Sequence, residues 1–137
     1  VISQILFIIG AAIFGGLGLI HLIFTFFSNK FDAYNAEVVV AMKSTSPVIT
    51  KETTVWRAWV GFNASHSLGA IFFAAIYIPL AILHMQLITN NVWFSVLPSI
   101  FGFSYLLLAQ KYWFRIPFLS ILIATICFVF GCLLINL

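Results

Sequence analysis

Residues 55–80, VWRAWVGFNASHSLGAIFFAAIYIPL, decide how the rest of the chain is read. The stretch opens with Trp56, Arg57 and Trp59, residue types that collect at a membrane–water interface, and continues into an apolar run long enough to cross a bilayer. Asn63 and His66 stand inside that run. At about 3.6 residues per turn, Trp56, Trp59, Asn63, His66, Ala70, Phe73 and Tyr77 fall along one helical face. Gly61, Ser65 and Gly69, four positions apart, form a separate strip of small residues. One face is therefore expected to carry polar groups, and the strip to let a neighbouring helix approach closely.

Working outward, composition carries the class. Hydrophobic residues make up 64% of the chain and charged residues 7%, against roughly a quarter charged in soluble domains. Mean hydropathy is +1.18. These values imply an integral membrane protein, and 137 residues give room for about four crossings and one substantial loop. The expected fold is all-α: a single transmembrane domain, a four-helix bundle, with crossings near 5–27, 56–83, 92–110 and 116–135. The formal charge of +3 rests on six basic residues whose placement suits membrane orientation, so no nucleic-acid partner is expected.

The first crossing, ILFIIGAAIFGGLGLIHLIFTFF at 5–27, is uncharged. No basic segment precedes it and no small-residue cleavage pattern follows, so it is expected to be mature structure. Gly10, Ala11, Gly18, His21 and Thr25 share one side, which should look into the bundle. The loop at 28–54 should contain a short interfacial helix capped by Asp32 and broken after Lys43 by Ser44, Thr45, Ser46 and Pro47. Pro79 should kink the second crossing, and Pro98 admits a break in the third near Leu97. Residues 84–91 read as a short uncharged turn. In the fourth crossing, Ser120, Ala124, Cys127 and Gly131 trace a packing seam.

All nine charged residues lie in the first loop, at Arg57, or between the last two crossings, which are regions on one side of a four-crossing chain. Lys and Arg mark the cytoplasmic side, so both termini are expected outside.

The crossings contain no H-E-x-x-H, no nucleophile with a base and no phosphate-binding glycine loop, so no catalytic residue and no metal site is assigned. Cys127 and Cys132, five apart on a helix, read as small buried apolar residues. No cofactor is expected; a bis-histidine haem would need two converging ligands and has no other support.

WRAWVGFNASHSLGAIFF, together with GLGLIHLIFTFF in the first crossing, resembles a family of small, uncharacterised four-crossing bacterial membrane proteins with a GFNxSHSxG core in the second helix. The resemblance covers the first two crossings, implies this fold and a bacterial cytoplasmic membrane, and brings no reaction.

Two readings of function follow. In the first, the protein is a structural or accessory subunit: its polar residues bond helices together, and its small-residue strip docks on other membrane subunits. In the second, His21, Thr25, Trp59, Asn63 and His66 line an intramembrane pocket for a hydrophobic ligand, a quinone or a lipid. His21 lies about 9 Å inward from Phe27, and His66 about 13–14 Å inward from Arg57, at 1.5 Å per residue. The two imidazoles are thus expected at similar depth.

Overall fold

The computed structural model describes all residues, 1–137. It is entirely helical: α1 (Ile2–Phe27), α2 (Ala36–Ser44), α3 (Val55–Leu83), α4 (Met85–Thr89), α5 (Val92–Tyr112) and α6 (Arg115–Asn136). Four of these, α1, α3, α5 and α6, are long and apolar enough to cross a membrane. The protein is an integral membrane protein built as a four-helix bundle. By internal contacts it divides into two compact units, Val1–Leu17 with Ala70–Leu137, and Gly18–Gly69.

The larger unit is organised on phenylalanine. Phe14 of α1 is 1% exposed and meets Phe73 of α3, Phe101 and Tyr105 of α5, and Phe128 of α6, with ring centroids 5.0–6.1 Å apart. Phe73 and Phe101 stack with parallel planes at 4.1 Å. Edge-to-face and offset rings fix geometry as well as volume, which matters where lipid competes equally for any apolar surface.

Glycines let the backbones close around these rings. A Cβ on Gly10 would lie 2.5 Å from the Phe128 ring, and one on Gly102 would lie 2.6 Å from Thr125 Oγ1 and 3.2 Å from the Thr125 Cα. Gly131 backs onto the Phe7 ring in the same way, at 3.1 Å. The seam expected on α6 is accordingly internal, with Ala124 and Gly131 buried.

Backbone groups left over by helix breaks are paired by distant side chains. Pro98 has no N–H to give the carbonyl of Phe94, and that carbonyl accepts from the Tyr77 hydroxyl at 3.3 Å. The break anticipated near Leu97 does not form: α5 is continuous across Pro98, as α3 is across Pro79. Where α3 ends, Gln4 Nε2 of α1 donates to the Ala81 carbonyl at 2.8 Å, closing one of the open acceptors of a helix C-terminus. Asn136 of α6 donates to Ser95 Oγ of α5 at 3.1 Å.

Two local expectations are corrected. The loop helix starts at Ala36 rather than after Asp32, because the Asn35 side chain accepts from the Glu37 N–H and caps it. Residues 85–89 form a short helix, α4, where a turn was expected, its last turn closed by the Asn90 N–H on the Gln86 carbonyl. The strip Gly61, Ser65 and Gly69 is exposed, and a Cβ on Gly61 would meet nothing within 4 Å. Small residues permit close approach without supplying the neighbour; inside this chain close approaches are made at Gly10, Gly15, Gly102 and Gly131.

Candidate functional site

The smaller unit, Gly18–Gly69, holds the end of α1, the loop with α2, and the start of α3. The 3- and 4-residue spacing that puts Asn63 and His66 on one face of α3 also turns that face inward: Asn63 is 7% exposed and His66 half-buried. On α1, His21 lies one turn before Thr25, and both are half-buried.

These residues meet. His21 Nε2 lies 2.9 Å from Asn63 Oδ1, and the His21 and His66 rings are 5.3 Å apart at 65°. Asn63 Nδ2 donates to the Trp59 carbonyl at 2.9 Å, which leaves Oδ1 facing His21. An amide oxygen only accepts, so His21 Nε2 carries the proton in this bond. The Thr25 hydroxyl donates to the His21 carbonyl of its own helix at 2.8 Å, and the Ser67 hydroxyl donates likewise to the Asn63 carbonyl at 2.8 Å. In a hydrocarbon setting each of these pairings removes the desolvation cost of two groups.

The loop covers the cluster. Phe31 lies on His21 with centroids 4.2 Å apart, and its backbone carbonyl accepts from the Trp59 indole N–H at 3.1 Å. Trp59 thus holds Asn63 through its carbonyl and Phe31 through its ring nitrogen. Farther along the loop, the Val55 N–H donates to the Thr45 carbonyl at 2.9 Å, and Lys43 Nζ lies 4.9 Å over the Trp56 ring. The loop is therefore fastened at both tryptophans that begin α3.

Beside the cluster an open crease of about 10 Å³ is lined by Thr25, Ser28, Asp32 and Asn63 together with Phe31, Trp56, Trp59 and Val60. That is the space of about one water, far below the roughly 300–1,000 Å³ of pockets for organic ligands.

Of the residues singled out in the sequence, His21, Thr25, Trp59, Asn63 and His66 come together in this unit, whereas Gly61, Ser65 and Gly69 stand on the exposed side of α3. Phe31, Ser28 and Asp32 were not anticipated; the aromatic Phe31 just past the end of α1 was the one available signal. His84, at the other end of α3, is exposed. No family model, curated protein or solved structure matches this chain.

Proposed function

We propose that this protein is a structural or accessory subunit of a larger membrane assembly. The observation that carries the reading is the closure of the polar cluster: the His21–Asn63 pair is satisfied within the chain, and the space beside it suits one water rather than an organic substrate. Polar groups used this way join helices. The exposed strip Gly61, Ser65 and Gly69 supports the reading, since small residues on an outer face of a transmembrane helix let a second helix pack at short range. The test is purification from native membranes in detergent-free nanodiscs. A stoichiometric partner, lost in Gly61→Leu at unchanged thermal stability, is expected; a partner-free particle for the parent chain contradicts the reading.

A second reading has its own support. His21 and His66 adjoin at one depth beside two tryptophans, an arrangement that could offer polar contacts to a quinone or lipid headgroup if Phe31 moved aside. A hydrophobic molecule extracted in stoichiometric amount, and lost in His66→Ala, would favour it over the first. For orientation in the membrane, we infer that the loop at 28–54 is cytoplasmic, both termini lie outside, and the membrane is the cytoplasmic membrane of a bacterium, from the one-sided basic residues and the resemblance of the first two crossings. A cysteine placed at Lys43 should react with an impermeant thiol reagent only from the cytoplasmic face, and one at Asn90 only from outside; the reverse pattern rejects this orientation.

A further inference from the structure

Both ends of the loop carry apolar side chains that nothing in the chain covers. Pro47, Val48, Ile49 and Thr50 form a turn, closed by the Thr50 N–H on the Pro47 carbonyl at 3.3 Å. Its corner residues, Val48 and Ile49, are all but fully exposed, at positions that turns in water most often give to Gly, Pro, Asn, Asp or Ser. Tyr34, just before the Asn35 cap of α2, is equally exposed, and α2 between these points buries no residue.

The level of these side chains is set by their tethers. α3 has 29 residues, about 43 Å at 1.5 Å per residue, which matches the hydrocarbon core together with both headgroup layers. Its first turns, with Trp56 and Trp59, therefore stand at headgroup level, where such rings collect. The loop is fastened there twice, by the Trp59 indole on the Phe31 carbonyl and by the Val55 N–H on the Thr45 carbonyl. Tyr34 and Val48 each follow a fastened residue by three positions, so neither lies more than about 10–11 Å of chain from it. Lys51, exposed beside the turn, has an apolar stem and an ammonium suited to lipid phosphate.

We propose that the loop is seated on the membrane surface, with Val48, Ile49 and Tyr34 inserted among the phospholipid headgroups around the start of α3. Lipid is the occupant because both exposed points are tied within a short reach of the membrane boundary itself, continuous with the bilayer-embedded part of α3. Seated in this way, the loop is held down from outside as well as by its own hydrogen bonds, which keeps Phe31 on His21. The seating is independent of any partner on the α3 strip.

The test is fluorescence of the full chain in phospholipid nanodiscs, with the dye NBD on Ser46→Cys in a Cys127→Ala, Cys132→Ala background. Ser46 is exposed and adjoins the turn without being one of the inserted residues. Aqueous iodide is expected to quench the dye weakly, and a lipid carrying a nitroxide on its headgroup to quench it strongly. Adding Val48→Asn with Ile49→Asn should reverse that order, and these fully exposed side chains can be replaced without disturbing the packed helices. Iodide quenching that is the same with and without the two asparagines overturns the proposal; a turn built for a soluble protein partner would give that result, standing in water in the purified chain. Protection from iodide with no quenching by the labelled lipid overturns it too, and assigns the turn to a second copy of the chain.

Discussion

At the scale of single residues, Asn63 is the pivot of the smaller unit. It accepts from His21 on another helix, donates to Trp59 one turn back, and its backbone carbonyl takes the Ser67 hydroxyl. Asn63→Leu would leave the His21 N–H without an acceptor in a buried setting, at a cost of about 1–3 kcal/mol. His21→Leu would leave the Asn63 oxygen in the same position. Removing both groups together takes away the orphan along with the bond, so the double variant should cost less than the sum of the two singles. Thermal or denaturant unfolding of the four proteins checks this, and strictly additive losses would show that the two side chains do not act as a pair. The convergence of His21 with Asn63 and His66 was legible in the sequence, because helical period fixes a face and equal depth from a shared interface fixes a level. Phe31 was not legible: it lies beyond the end of α1, where no periodicity tells which way the chain turns, and its place over His21 depends on the Trp59 hydrogen bond.

At the scale of elements, α5 illustrates how a carbonyl freed by an internal proline can be used. The Phe94 carbonyl, deprived of a donor by Pro98, is taken by Tyr77 of α3, so a defect in one helix becomes a bond between two. Tyr77→Phe should cost about 0.5–1.5 kcal/mol. In a Pro98→Ala background, where the backbone N–H at 98 returns to Phe94, the same change should cost roughly half of that or less. Equal losses in the two backgrounds would detach Tyr77 from the proline. Glycines give a second contrast between elements. Gly102→Ala drives a methyl to 2.6 Å from Thr125 Oγ1 and against the α6 backbone, and should destabilise by about 1–3 kcal/mol. Gly61→Ala meets open space and should leave Tm unchanged or slightly raised, alanine being the better helix former. If both were neutral, α5 and α6 would not be in the close contact described. Here too the reading of sequence has a physical limit. A stripe such as Gly61, Ser65 and Gly69 reports that a helix could come close, while its occupant depends on where other helices fall. α1 shows the converse: the side marked by Gly10, Ala11, Gly18, His21 and Thr25 was legible as the inward one, and Phe7 and Phe14, which share it, are buried while Ile5 and Ile9, on the opposite side, are exposed.

At the scale of the molecule, four apolar helices and a charged loop make an integral membrane protein whose internal polar groups are largely spent on one another. Gln4, Tyr77 and Asn136 close bonds within the larger unit, and His21, Asn63 and Trp59 close them within the smaller. The exposed small-residue strip on α3 is the feature this arrangement leaves without a role inside the chain. The fold class and the number of crossings followed from composition and hydropathy, since a bilayer dictates helix length. The outward aspect of the strip required three dimensions. The most direct measurement of an accessory role is therefore photocrosslinking in native membranes from a photoreactive amino acid at Ser65, with the same probe at the exposed Leu107 of α5 as the reference. The account predicts a discrete protein adduct from position 65, absent from position 107 and lost when Gly61→Leu is added; lipid adducts alone from both positions would contradict it.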